Sequence, residues 1–216
     1  MLFSVDIETT GLNPNFHSIF EMAIIAFHAD GNGPGSVWHR YVIPHDMVWD
    51  EYCLKMHWST IQQIIENAIP RINELEEYGK YQTYALPSGL LLRDLKYWME
   101  KNKFYNNKDG SYHKMVACGK NFGAFDFQFI KRLLGDGNEL FKYRSLDPTL
   151  WFMKSTDAVP PDLQEVKKRA EAEGCKFAFS HVSHTAVDDA MDIMHLIQHV
   201  FHKKAEAEAA ELQIDR

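Results

Sequence analysis

The opening run Phe3-Ser4-Val5-Asp6-Ile7-Glu8 alternates apolar and polar residues, the pattern of a strand with one face buried. A period of two puts Asp6 and Glu8 side by side on the other face. Neighbouring carboxylates repel, and a covered face does not tolerate them without a partner. Two arrangements remain: an acidic face open to water, or a divalent cation that takes oxygen ligands from both side chains. Whatever fold this chain adopts has to accommodate that strand.

Thr10-Gly11-Leu12-Asn13-Pro14-Asn15 has turn chemistry, and the mostly apolar run from Ile19 to Phe27, with Glu21 inside it, reads as a second strand. Gly31-Asn32-Gly33-Pro34-Gly35 is the strongest turn signal in the chain, and Val37 to Ile43 reads as a third strand, so the second and third form a hairpin. Residues 58–78 predict a helix interrupted at Pro70, and Ser88 to Lys101 a second helix with Leu91, Leu92, Leu95, Trp98 and Met99 as its apolar stripe. A polar loop over 104–114 leads to a short buried strand, Met115 to Cys118. A helix from Ala124 to Leu134, a short strand from Tyr143 to Leu146, a helix capped by Asp162 and a last helix from about Thr185 follow. Three antiparallel strands and then strand–helix alternation predict one α/β domain, with a mixed central sheet flanked by helices. The domain is expected to span residues 1–202, with 203–216 as a helical or frayed tail that lacks an apolar stripe.

The 216 residues suffice for one domain with a full core. No apolar run is long enough to cross a bilayer, and Asp6 and Glu8 interrupt any leader-like N-terminus, so a cytoplasmic protein is expected. Cys53, Cys118 and Cys175 are too few and too scattered for a disulfide framework or a cysteine zinc site. A formal charge of −7 argues against a broad grip on duplex nucleic acid. It leaves room for a site that holds a few phosphates through bound metal.

Two further acidic segments stand out. In Gly119-Lys120-Asn121-Phe122-Gly123-Ala124-Phe125-Asp126 a short strand turns into a helix with Asp126 in its first turn. Sites in α/β sheets form at such strand ends, although in isolation favourable placement on the helix dipole is the better account of Asp126. In His181-Val182-Ser183-His184-Thr185-Ala186-Val187-Asp188-Asp189, helical phase separates the two aspartates. Asp188 lines up with Asp192, His195 and His199 on a polar stripe, and Asp189 with Ile193, Leu196 and Val200 on the face that packs inward. Asp189 is the candidate ligand and Asp188 is expected to face solvent. His184 or His181, just ahead of the helix, can act as a base near neutral pH. His195, His199 and His202 read as surface residues.

Together these segments resemble the DEDD superfamily of 3′→5′ exonucleases, in its histidine-bearing branch, close to the proofreading and ribonuclease T-like group. Asp6-Ile7-Glu8-Thr9-Thr10-Gly11-Leu12 is similar to the first motif, Phe125-Asp126 to the core of the second, and His184-Thr185-Ala186-Val187-Asp188-Asp189-Ala190 to the third. That spacing selects His184 over His181. Arg144-Ser145-Leu146-Asp147-Pro148 is similar to the segment between motifs two and three. One departure is a third residue between Asn121 and Phe125, with Lys120 where family members often carry histidine, which leaves open whether Lys120 or Asn121 approaches the substrate.

The resemblance implies a ribonuclease H-like fold and a two-metal site in which Asp6, Glu8, Asp126 and Asp189 hold two Mg²⁺, with Mn²⁺ as a substitute. It implies His184 as the general base and release of nucleoside 5′-monophosphates. Thr9, Thr10 and Leu12 would meet the terminal nucleotide, with Leu12 wedged against its base and Phe125 adding a stacking face. The expected substrate is a single-stranded or frayed DNA 3′ end, served beside a polymerase in trans, with short RNA as the alternative and a non-catalytic binding module as the remote one. No membrane partner is expected.

Overall fold

Residues 1–31, 35–43, 48–68, 85–106 and 108–214 are described by the structure, a computed structural model. Strand β1, Leu2–Thr9, pairs antiparallel with β2, Ile19–Phe27, which pairs antiparallel with β3, Ser36–Ile43. The expected meander is present, although residues 32–34 of its glycine-rich turn lie outside the described residues. Two short strands join in parallel, β4 (Ala85–Pro87) beside β3 and, later in the chain, Ala117–Cys118 beside β1. The sheet is therefore mixed, as the order of strands and helices predicts.

Strand β2 is buried along its whole length because helices cover both faces of the sheet. On one face Phe3, Val5, Ile7, Met22, Ile24 and Trp38 pack against α3 (Leu91–Lys101) and α4 (Asp126–Leu134), through Leu91, Leu95, Met99, Phe129 and Ile130. The Trp38 indole N–H, buried there, donates to Asp94 of α3 at 2.7 Å. The opposite face carries Ser4, Ala23 and Ile25, and helix α6 (Ala186–Ile214) lies across it with Ala186 and Ala190 in contact. Small residues let α6 approach closely enough for the Ser4 hydroxyl to donate to the Ala190 carbonyl at 2.6 Å. Helix α5 (Leu163–Ala172) packs beside α6 through Val166 and Ala170. Asp6 and Glu8 share the α6 side of β1 by strand alternation.

Several expectations are revised. The helix expected over 58–78 begins earlier, as α1 (Glu51–Met56), which Asp50 caps by accepting from the amides of Tyr52 and Cys53. It continues as α2 (Trp58–Gln63) with a π-turn over Ile64–Ala68, and residues 69–84, including Pro70, lie outside the described residues. The polar loop over 104–114 contains a small hairpin, β5 (Tyr105–Asn106) with β6 (Ser111–Tyr112), whose two tyrosine rings pack on each other. The strand expected from Tyr143 to Leu146 reduces to one parallel bridge between Leu146 and Cys118; Ala117–Cys118 is β7. The last helix runs unbroken to Ile214, so the tail takes the helical of its two expected forms that far.

The polar stripe expected on α6 is also revised. Asp192 is buried, because Lys167 of α5, itself buried, reaches it as an ion-pair partner. Asp188 is half-buried and accepts from the Thr185 hydroxyl at 2.8 Å. His195 and His199 are half-buried rather than on the surface, and only His202 of the three is exposed. The cysteines are free and buried, and no helix among the described residues is long and apolar enough to cross a membrane.

Candidate active site

The C-terminal half of strand β1 carries Asp6 and Glu8, and the first turn of α6 brings Asp189 to meet them. Oxygens of these three carboxylates lie within 4.8 Å of one another. Asp126 opens α4, reached from β7 by a turn in which Gly119 passes close against β1: a Cβ there would sit 2.8 Å from the Val5 carbonyl oxygen. Only glycine fits that approach. Asp126 stands outside the close triple but is buried and near enough to repel Asp6 and Glu8. His184 faces the same cleft, a space of about 630 Å³ that all four carboxylates line.

The electrostatics of this cluster are one-sided. Burial, reinforced by repulsion from Glu8, Asp126, Asp189 and Glu21, holds Asp6 well above the usual carboxylate range. Burial, with repulsion from Asp189, Glu21 and Asp126, pushes Glu8 up to about 9. Burial raises Asp126 and Asp189 to about 7 each, with Lys120 opposing the rise at Asp126 and Lys167 opposing it at Asp189. Side chains alone thus leave the four carboxylates short of positive charge. An all-oxygen donor set with this deficit suits a hard divalent cation.

His184 is exposed and sits on backbone with φ +55°, a left-handed conformation that costs a non-glycine residue ~1–3 kcal/mol and persists only where the surroundings impose it. Its neighbours are tied down: the Ser183 hydroxyl reaches Asp189 at 3.5 Å, and the Thr185 carbonyl accepts the Asp189 amide at 3.0 Å. Asn121 shares the left-handed conformation, φ +55°, and its amide donates to Asp147 at 3.0 Å. Lys120, Asn121 and Phe125 all line the cleft, and the Phe125 ring packs on Phe129 at 5.1 Å.

Thr9 ends β1, and Thr10 begins the turn after it. Both are buried; the Thr9 hydroxyl donates to the Gly11 carbonyl at 2.8 Å, and the Thr10 hydroxyl accepts the Ser18 amide at 3.0 Å. Their side chains hold the loop after β1 instead of reaching into solvent. Leu12, 76% exposed, is what that loop presents.

The exonuclease family model, RNase T, matches residues 3–197, most of the chain. The chain belongs to the exonuclease family. It is a 3′→5′ exonuclease, a hydrolase of the DEDD group, with the ribonuclease H-like fold seen above. The oligoribonuclease of Vibrio cholerae is 25% identical over 212 residues, covering 94% of each chain. Among solved structures, the nuclease domain of 3′hExo, a DEDDh family member bound to rAMP, shares the fold at a TM-score of 0.57 and 13% identity, over 94% of this chain and 92% of that one. Escherichia coli exonuclease I in complex with a dA16 oligonucleotide shares it at 0.55 and 13% identity, over 92% of this chain; the match spans 40% of that protein's length. The family depends on divalent metal, and the carboxylate cluster of this exonuclease is the matching feature.

Two residues beside the exonuclease's cleft are not marked as site residues by any sequence motif. Glu21 is fully buried, lies directly across from Glu8 in the β1–β2 register, and has His39 Nε2 at 2.7 Å. Its signal is a lone charge inside an apolar strand. His57 is buried with Nε2 at 3.4 Å from Glu8 Oε2 and its ring centroid 6.4 Å from that of His184. Burial, followed by the nearby His184, pulls its pKa down. The Asp50 amide bonds the Thr10 carbonyl at 2.7 Å, which seats α1 against the end of β1 and so delivers His57. No local sequence pattern encodes that docking.

Proposed function

We propose that this exonuclease removes nucleoside 5′-monophosphates from single-stranded or frayed 3′ ends, with Asp6, Glu8, Asp126 and Asp189 holding two Mg²⁺, or Mn²⁺ in substitution. The observation that carries the reading is the carboxylate triple within 4.8 Å, deficient in positive charge, in a cleft shared with an exposed histidine. When bound, the ions supply charge stabilisation at the phosphate and an acidified water. His184, exposed in the cleft, takes the proton from the attacking water. Leu12 and Phe125 bracket the terminal base, one exposed and one half-buried. Lys120 and Asn121 border the path of the phosphates.

The first reading of the substrate is DNA, after the resemblance to the proofreading group, with a polymerase acting beside the enzyme in trans. A second reading, short RNA, is favoured by the oligoribonucleases that match this chain over nearly its whole length. Matched DNA and RNA oligomers labelled at the 5′ end, two to about twenty nucleotides long, distinguish the readings. Single-nucleotide shortening with Mg²⁺, lost in EDTA, is expected, and the ratio of kcat/KM for the two sugars assigns the substrate. Shortening that persists in EDTA would remove the metal mechanism.

A further inference from the structure

The stretch that carries His184, residues 173–185 between α5 and α6, has no regular secondary structure, yet three successive backbone positions just ahead of the histidine are gripped by one face of α5. Gln164 donates to the Ser180 carbonyl at 2.8 Å and accepts the Val182 amide at 3.0 Å. Lys167, three residues on and therefore on the same side of the helix, donates to the intervening His181 carbonyl at 2.8 Å. The same ammonium pairs with Asp192 of α6 and lies 5.1 Å from the centre of the Phe177 ring. Lys167 is fully buried, and Asp192 nearly so.

We propose that Lys167, assisted by Gln164, is a positioning residue for catalysis: it fixes the backbone that sets His184 over the carboxylates. Stability alone does not explain the pair, because two buried charges are commonly replaced by apolar residues of like volume at no loss. An apolar pair cannot bond the His181 carbonyl. The ammonium joins that carbonyl to Asp192, one turn of α6 beyond Asp189. The base-bearing loop and the helix bearing a candidate metal ligand are thereby referred to one atom. Arg169 anchors α5 in turn, donating to the Phe152 carbonyl at 2.8 Å and pairing with Asp157 and Glu165. The frame behind the loop is thus itself fixed.

The inference rests on His184 acting as the base, and the test separates the two ideas. Lys167→Met with Asp192→Leu removes both charges together. Amide hydrogen exchange is expected to quicken at 181–185 while the α6 amides of residues 190–197 keep their protection. With the cleavable oligomer of choice, kcat is expected to fall about ten- to a hundredfold with KM nearly unchanged. In a His184→Ala background the same pair of changes should cost almost nothing. Gln164→Leu, at an exposed position on the wall of the cleft, should act in the same direction with a smaller loss, and only a loss that vanishes in the His184→Ala background counts as positioning rather than substrate contact. Unchanged exchange at 181–185 in the paired variant, or an equal loss of kcat with and without His184, overturns the proposal. Should the paired variant fail to fold, Gln164→Leu carries the same two readouts and decides the proposal on the same outcomes. Should the wild-type protein cleave neither DNA nor RNA, the functional reading fails, and the exchange measurement still decides whether the grip exists.

Discussion

Asp6 and Glu8 ride on β1, a strand paired on both sides within the sheet, whereas His184 rides on irregular backbone in a strained conformation at the cleft mouth. The carboxylates are held by the hydrogen bonds of the sheet and by the core beneath them. The histidine is held by a handful of side-chain bonds from α5 and α6. Metal ligands require fixed separations, and a strand supplies them at little cost. A base that must admit substrate and let a product leave belongs on a segment that opens at lower free energy. The difference predicts that damage on the strand side is total and damage on the loop side is graded.

The largest effect is therefore expected at β1. Asp6→Ala should abolish cleavage, since it removes a candidate metal ligand from the close triple, and added Mn²⁺ should not restore it. Cleavage at the wild-type rate would take Asp6 out of the site. His184→Ala should slow the chemical step by ~10²–10⁴-fold, the usual worth of a general base, with substrate binding retained. Measurement by single-turnover kinetics distinguishes the two, and an equal, complete loss in both variants would erase the contrast between strand and loop.

A third prediction concerns stability, with its sign set by the raised carboxylates. Glu8, pushed to about 9, keeps a proton in the folded state that the unfolded chain releases above its ordinary pKa of 4.5. Folding stability from such a group is present at low pH and is lost as pH rises towards 9. In EDTA the wild-type Tm should fall steadily between about pH 5 and pH 9, with all four carboxylates contributing. Glu8→Gln should flatten part of that slope, and Mg²⁺ should raise the wild-type Tm most at the alkaline end. A Tm that is level across this range without metal would mean that the cluster is not short of charge.

What is legible in the sequence, and what is not, follows the same division. The β1–β3 meander and the shared face of Asp6 and Glu8 are visible because a strand's period is local. Helical phase alone distinguishes Asp189 on the inner face from Asp188. The role of Glu21 is hidden because its position opposite Glu8 depends on the β1–β2 register, which a residue count does not give. His57 depends on the docking of α1. Asp192 falls on a polar stripe by helical phase, and its burial is hidden because its partner Lys167 stands 25 residues earlier on another helix. The loop histidine itself is found by spacing, but the bonds that hold its backbone are made by side chains no periodicity connects.

The smallest predicted effect tests the loop after β1. Thr10 and Gly11 turn inward there: the Thr10 carbonyl and hydroxyl are both bonded, and a Cβ on Gly11 would sit 2.6 Å from the His17 ring. A turn packed that tightly has one apolar side chain left to offer, Leu12, at 76% exposure. An isolated exposed leucine needs no function, but this one projects from the loop directly following the candidate metal ligands. Contact with the terminal base predicts that Leu12→Ala raises KM about threefold to tenfold, as loss of ~1 kcal/mol of base contact would, while kcat and Tm stay near wild type. Because the leucine contributes nothing to the core, any change in KM reads base contact directly. An unchanged KM on both DNA and RNA would assign Leu12 to the ordinary apolar surface.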